Sequence, residues 1–417
     1  MEGVVVIILL LFVAFLIVIS NAGEKTKAEP TLENSLRGNP MARLSDALSP
    51  MFAPNPFDKV DWGNVSLAEI KRIVESGADV NIRGKMLKTY PNGGVAIGLS
   101  NSPLDFASTA EIAEYLIEQG ADVNSEDNGS HTTPLHYSSS PEVVDVLLRH
   151  GADINHKNKD GETPLISALT SSRFDVAEHL VERGADINVI EKKTGKTPLC
   201  FFVSVEFNEK LLKMGANPNV VVEEKHGKYT PLHYAAIYGY TDHAQLLIDY
   251  GADVNSLAAG KAPLCSAQSP EMVNFLLDNG ADIEIKDDKQ ETPLFYAVFG
   301  DVDVVQALVK RGANIHALDK SGNTILHYQS DPKITTYLLM HGLDPNARNN
   351  INETPLHNAV IDSNLDEENL RDSALETIRV LLEYGANVSI KNDFGETPID
   401  VANSEDIELI ELLKSHL

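Results

Sequence analysis

Four of the thirteen histidines share one setting: His136, His233, His327 and His357 each close a T-P-L-H or T-I-L-H tetrapeptide. Histidine changes charge near neutral pH and ligates metals, so regularly placed histidines first raise proton transfer or metal binding. Neither chemistry finds the rest of its machinery here. No H-E-x-x-H, paired C-x-x-C or phosphate-loop pattern occurs. "GGVAIG" at 93–98 follows no expected strand and leads to no Lys-Ser/Thr pair, so it is not read as a phosphate cradle. Aspartate–glycine turns, as at Asp160–Gly161, lack the ligand spacing of a calcium loop. The N-x-S/T triplets at Asn64, Asn128, Asn352 and Asn387 matter only in a glycosylating compartment. No catalytic residue, metal ligand or cofactor is assigned.

Charge narrows the partners. The 417 residues carry 61 acidic and 34 basic side chains, a formal charge of −27. Such a surface repels phosphate backbones and excludes nucleic-acid binding as the main activity.

The tetrapeptides belong to a longer sentence. Glycine followed by A-D/N-x-N or a close variant recurs at Gly77, Gly120, Gly151, Gly184, Gly215, Gly251, Gly280, Gly312, Gly342 and Gly385. The mean spacing is about 34 residues, and a T-P-L-H-like tetrapeptide stands in each interval. Thr can cap a helix and Pro has no N–H to waste in its first turn. In "TPLHYAAIYGYTDHAQLLIDYGADVN", Leu232, Ala235 and Ala236 suit a thin first helix, and Leu246, Leu247 and Ile248 an apolar second one. Gly251 then suits the left-handed residue that ends it. One such unit cannot bury its own apolar face and needs neighbours.

The units differ in length. From the threonine position to the glycine is 21 residues in those starting at Thr163 and Thr230, but 18 in those starting at Ser102, Thr133, Thr197, Ala262 and Thr324. Eleven residues before the glycine in the short units stand Thr109, Ser140, Ser204, Ser269 and Asp331, all good helix N-caps, three of them followed by proline. The deletion is therefore expected to trim the first helix and the turn after it, and to spare the second helix. Ser66 begins "SLAE", a capping-box pattern, so a half-unit at 61–81 is expected to start the array.

The period, the T-P-L-H motif and the closing G-A-D resemble the ankyrin-repeat family from about Asp61 to Leu417. The resemblance implies an all-α solenoid of stacked helix-turn-helix units with projecting turns. It also implies a histidine that hydrogen-bonds across the turn, and protein partners gripped by the turn tips and the inner helices. Units are expected to start near 101, 132, 162, 196, 229, 261, 291, 323, 353 and 396, making 59–417 one repeat domain, expected to be monomeric. Cys200 and Cys265 take the histidine slot two units apart, too far for a bridge, since neighbouring units lie about 8–10 Å apart.

Ahead of the repeats, Val4 to Ser20 carries no charge and would span about 25 Å as a helix. Residues 1–22 are read as a signal anchor or, cleaved, as a signal peptide, placing the protein at a membrane or outside the compartment that makes it. Residues 23–58, with Pro40, Pro50, Pro54 and Pro56, are read as a tether.

Two departures from the repeat stand out. An insertion between Asn81 and Ser102 brings Arg83, Lys85, Lys88 and Tyr90 to an acidic molecule. The acidic stretch 362–373 is expected to lengthen a solvated turn. The position after the histidine slot is aromatic in six units, including Tyr137, Tyr234, Tyr296 and Tyr328. Those rings are expected to form a ladder along the first helices that packs the units together or anchors a partner. The partner-binding residues read from the sequence are thus Arg83, Lys85, Lys88, Tyr90, Tyr137, Tyr234, Tyr296 and Tyr328. The functional expectation is a non-catalytic protein–protein scaffold, membrane-tethered or exported. The alternatives are a regulatory subunit or inhibitor of an enzyme, or an enzyme whose site carries no motif.

Overall fold

The computed structural model describes residues 56–57, 60–89, 95–127, 129–192, 194–224, 227–363 and 368–417. The leader at 1–22, Tyr90 and, apart from Pro56 and Phe57, the tether at 23–58 lie outside them. The chain divides into Met1–Asp58 and Lys59–Leu417.

Within Lys59–Leu417 each unit begins as its residues dictate. The threonine position is extended (Thr230, φ −95°, ψ 167°), and proline occupies the first helical turn. The helix that follows depends on unit length. In the short units it is a single turn, at Pro103–Phe106, Pro134–Tyr137, Pro198–Cys200, Pro263–Ser266 and Ile325–Tyr328. In the longer ones it runs over Pro164–Thr170, Pro231–Tyr238, Pro293–Ala297 and Pro355–Ser363.

The second helix ignores this variation. It is nine residues long at Ala110–Glu118, Pro141–Arg149, Phe174–Glu182, Val205–Lys213, Thr241–Asp249, Pro270–Asp278, Val302–Lys310 and Pro332–Met340. Thr109, Ser140, Ser204, Ser269 and Asp331 cap the five short-unit helices, each side chain accepting from a backbone N–H of the first turn. Ser66 does the same for Leu67–Glu75. The deletion has removed first-helix residues and left every second-helix start intact. The second helices bury their inward stripes, as with Val143, Val144, Val146 and Leu147. First-helix residues such as Leu135, Leu165 and Leu232 are buried beside them.

Each second helix ends on a glycine with φ between 88° and 97°, from Gly77 to Gly385. A Cβ at any of these ten would meet nothing within 4 Å, so the left-handed backbone rather than crowding selects glycine. The turn after it explains the D/N-x-N pattern. Asp122 Oδ1 accepts from Asn124 N–H at 2.9 Å, and Asp153, Asp253 and Asp344 repeat this on Asn155, Asn255 and Asn346. The asparagine so aimed bonds the next unit. Asn124 Nδ2 donates to the Gly151 carbonyl at 2.9 Å, and its Oδ1 accepts from Asp153 N–H at 2.9 Å. Asn81, Asn219, Asn255 and Asn346 make the same two-bond clasp on Gly120/Asp122, Gly251/Asp253, Gly280/Asp282 and Gly385/Asn387. Glu284 stands at this position in one unit; its Oε1 accepts from Asn314 N–H at 2.7 Å, and a carboxylate has nothing to donate to the Gly312 carbonyl.

Two hairpins interrupt the helical stack. The insertion after Asn81 is an antiparallel pair, β1 (Gly84–Thr89) and β2 (Val95–Asn101), with a register irregularity between Gly84 and Met86. "GGVAIG" therefore does follow a strand and runs into one, contrary to the sequence reading. No helix N-terminus follows it as a phosphate loop requires, so the functional conclusion is unchanged. A shorter hairpin, β3 (Val222–Glu224) and β4 (Gly227–Tyr229), extends the turn before Thr230. The acidic stretch 362–373 also departs from expectation. It lengthens the helices rather than a turn: one helix reaches Ser363, and the next begins at Glu368 and runs 16 residues to Glu383. Nor is it merely solvated. Arg371 Nη2 donates to Asp406 Oδ2 at 2.7 Å, the carboxylate that caps the last helix, Ile407–Lys414.

The clasp carries a measurable prediction. Asn124→Ala and Asn255→Ala each remove both bonds and should lower the unfolding free energy by about 1–2 kcal/mol. Glu284→Asn should raise it by up to ~1 kcal/mol by supplying the missing donor. Urea unfolding of the three variants checks both signs.

Candidate protein-binding face

The histidines occupy one repeated arrangement. His136 Nδ1 accepts from the Thr133 backbone N–H at 3.2 Å, which leaves Nε2 as the N–H that donates to the Glu162 carbonyl of the following unit at 3.1 Å. His233, His327 and His357 do the same, reaching the Lys261, Glu353 and Glu396 carbonyls at 2.8, 3.2 and 3.2 Å. All four are buried. Burial outweighs the carbonyl bond and pushes the imidazoles of His136 and His233 down to about 4, and those of His327 and His357 down as well. They are neutral joints between units, with both ring nitrogens engaged. Asp105 fills the slot in the first full unit: its Oδ2 accepts from Ser102 N–H at 2.6 Å, and burial raises its carboxyl to about 7.

The aromatic position does not form one continuous ladder. Trp62, Phe106 and Tyr137 follow one another at 6.5 and 6.4 Å between centroids, and the next unit then presents Ser167. Tyr234 is buried against Tyr229, Cys200 and Val222 and serves packing. Tyr137, Tyr296 and Tyr328 are half-buried, and each hydroxyl donates to the aspartate of its own turn: Asp127 at 3.1 Å, Asp287 at 2.7 Å and Asp319 at 2.5 Å. The rings are thereby fixed while remaining partly exposed.

What the alternation of lengths does to this face is plainest near the C-terminus. The short unit at Thr324 has a one-turn first helix between longer units at Thr292 and Thr354. The longer units project Phe299, 71% exposed, and Ile361, 43% exposed, on either side of it. Between them lies a recess of about 450 Å³ lined by His327, Tyr328, Ser330, Glu353, Asn358 and Asp362. A second recess of about 430 Å³ adjoins it through the shared Phe299 and Tyr328, and is lined by Lys261, Asp287, Glu291, Phe295 and Tyr296. The trimmed unit forms the floor and its neighbours form the walls.

Comparison with known proteins finds ankyrin repeats along most of the chain. The family model "Ankyrin repeats (3 copies)" matches residues 104–191, 190–258 and 262–349, and "Ankyrin repeat" matches 352–393. The chain belongs to the ankyrin-repeat family. An ankyrin repeat protein of fowlpox virus is 35% identical over 159 residues, 35% of this chain and 44% of the viral one. The mouse B-cell lymphoma 3 protein homolog is 30% identical over 200 residues, 45% of this chain and 42% of the relative. The matches thus span less than half the length of these curated relatives. The crystal structure of the Bcl-3 ankyrin repeat domain is 29% identical and covers 53% of this chain and all of its own, with a TM-score of 0.41.

Seen as an ankyrin face, the residues read from the sequence separate into three places. Tyr296 and Tyr328 line the adjoining recesses, while Tyr137 lies units away beside Phe106 and Tyr234 is core. Arg83 is half-buried at the foot of β1, where its charge acts on Asp105. Lys85 and Lys88 stand on β1, apart from the recesses, and Tyr90 lies outside the described residues. Phe299, Ile361 and Lys261 were missed by the sequence reading. The signal for the first two was present: both stand seven residues after the threonine position, where the short units have lost their helix. Cys200 and Cys265 are not disulfide-bonded, and burial pushes the Cys265 thiol up to about 11.

The buried histidines set a pH dependence. Their folded values lie below the usual 6.5, so the unfolded chain binds more protons between pH 6.5 and about 4, and stability falls as pH drops through that window. His136 and His233 should each cost up to about 3 kcal/mol by pH 4. Asp105, raised to about 7 from 3.8, acts in the opposite sense but is one group against four. Denaturant midpoints at pH 7 and pH 4.5 should show a clear net loss, reduced in His136→Gln.

Proposed function

We propose that this ankyrin chain is a non-catalytic scaffold that grips a partner protein on the face carried by its first helices. The observation behind this reading is the recess over the trimmed unit at Thr324, walled by two exposed apolar side chains and floored by a ring held in place from its own turn. Exposed aromatic and aliphatic groups around a preformed depression are what a partner's anchor residue needs. Both ring nitrogens of each slot histidine are committed, Nδ1 to the threonine of its own unit and Nε2 to the following unit, which argues for mechanical rather than catalytic use. The repeat domain is proposed to act as a monomer. The uncharged run Val4–Ser20 is proposed to bring it to a membrane or to export it. Among the described residues no helix is long and apolar enough to cross a membrane, so that proposal rests on the run alone.

A photo-cross-linking residue in place of Phe299 in the full chain, expressed in its own cells, should give a discrete protein adduct. The same residue at Glu178, on a second helix, should not. Phe299→Asp with Ile361→Asp should weaken recovery of that partner roughly tenfold or more with little change in melting temperature. Adducts only from position 178, or a partner retained by the double variant, would rule the groove out as the binding face.

A further inference from the structure

Two aromatic rings of this face are covered by the residue before the threonine position of the preceding unit. In two units it is a lysine on a tyrosine: Lys196 Nζ sits 5.0 Å from the Tyr234 ring centroid, and Lys261 Nζ sits 4.3 Å from that of Tyr296. An ammonium over a tyrosine face is attracted by the ring's quadrupole. In the next unit the ring recurs as Tyr328, but the corresponding residue is Glu291, which lines the same recess with Tyr328 and Phe299. Here the chain supplies the ring and a carboxylate where its neighbours supply a cation.

The surroundings suit a cation from outside. Phe299 and Phe295 stand edge-on to Tyr328, at centroid distances of 6.4 and 6.0 Å and angles of 69° and 78°. Glu353 and Asp362 line the adjoining recess, which shares Tyr328 and Phe299 with the one that holds Glu291. The Asp362 carboxylate makes no hydrogen bond or ion pair with another described residue, and burial raises it above the usual range. Apolar ring faces beside carboxylates accept a long stem capped by a positive head, as arginine and lysine provide.

We propose that the recess around Tyr328 is a seat for an arginine or lysine side chain of the partner, with Glu291, Glu353 and Asp362 as counter-charges and Phe299 and Tyr328 as walls. This rests on the scaffold reading and adds the partner's chemistry: a basic segment, drawn by a chain of net charge −27 and placed by the rings.

Fluorescence polarisation of the full chain tests it, with two labelled Gly-Ser peptides that carry arginine or neutral, isosteric citrulline at every third position. The arginine peptide should bind, and the citrulline peptide roughly tenfold more weakly. Phe299→Ala and Asp362→Asn should each weaken arginine binding about fivefold. Glu291→Lys, which installs the lysine that neighbouring units carry, should abolish it, while Glu178→Lys, the same charge change on a second helix, should leave it within twofold. Equal losses from the two lysine substitutions, no loss in Phe299→Ala, or no binding at all would overturn the proposal. A cross-link at position 299 with a flat peptide series would leave the scaffold standing and remove only the basic partner.

Discussion

An asparagine side chain that satisfies the backbone of the following unit, rather than of its own, is the contact on which the rest of this molecule depends. Asn124 shows its logic. Its backbone is fixed by Asp122 within the turn, and its amide is spent on the Gly151 carbonyl and the Asp153 N–H. Both groups lie in the turn just past the end of a helix, where no intrahelical bond reaches them. The glycine that opens the turn must adopt φ near +90° to present them. A unit cut from the array would lose this clasp, the histidine bond to the next turn and half of its apolar burial together. Stability is therefore shared between neighbours.

That arrangement explains why the units tolerate such different lengths. Where they occur, the clasp sits beside the second helix at one end of the unit, and the histidine joint at the start of the first helix. The residues between these anchors are free to shorten. Five units have lost about a helical turn there without losing the cap of the second helix or its buried positions. The loss appears only on the exposed face, where the trimmed unit leaves a depression and its longer neighbours leave Phe299 and Ile361 standing. Irregularity that costs the stack little gives the surface relief.

How much of this was legible in the sequence follows from how local each feature is. The caps at Ser140 and Ser204, the left-handed glycines and the trimmed first helices depend on residues within a few positions of one another, and their spacing was enough. The histidine joint was legible through the family resemblance. The hairpin at Gly84–Asn101 was hidden because its pairing partner is part of the same unpatterned insertion. The helical extension to Glu383 was hidden because a run of acidic residues reads equally as turn and as exposed helix. The ladder of rings was over-read: a repeated position looks continuous in sequence, but Ser167 and Ser266 interrupt it and Tyr234 is sealed by Tyr229 of β4. Phe299 and Ile361 matter because of the length of the unit between them, which their own neighbours in sequence do not reveal.

Where a unit is clasped, its hold on the next does not depend on the length of its first helix, and hydrogen–deuterium exchange of the full chain, followed peptide by peptide, tests this most directly. The clasped amides of Asp122, Asp153, Asp253 and Asp282, and the second helices beside them, should exchange as one slow class whether their unit is short or long. If the units at 102–120, 133–151, 197–215, 262–280 and 324–342 exchange as a separate, faster class, first-helix length does contribute to the stack. The clasp and the histidine joint would then not be what holds it together.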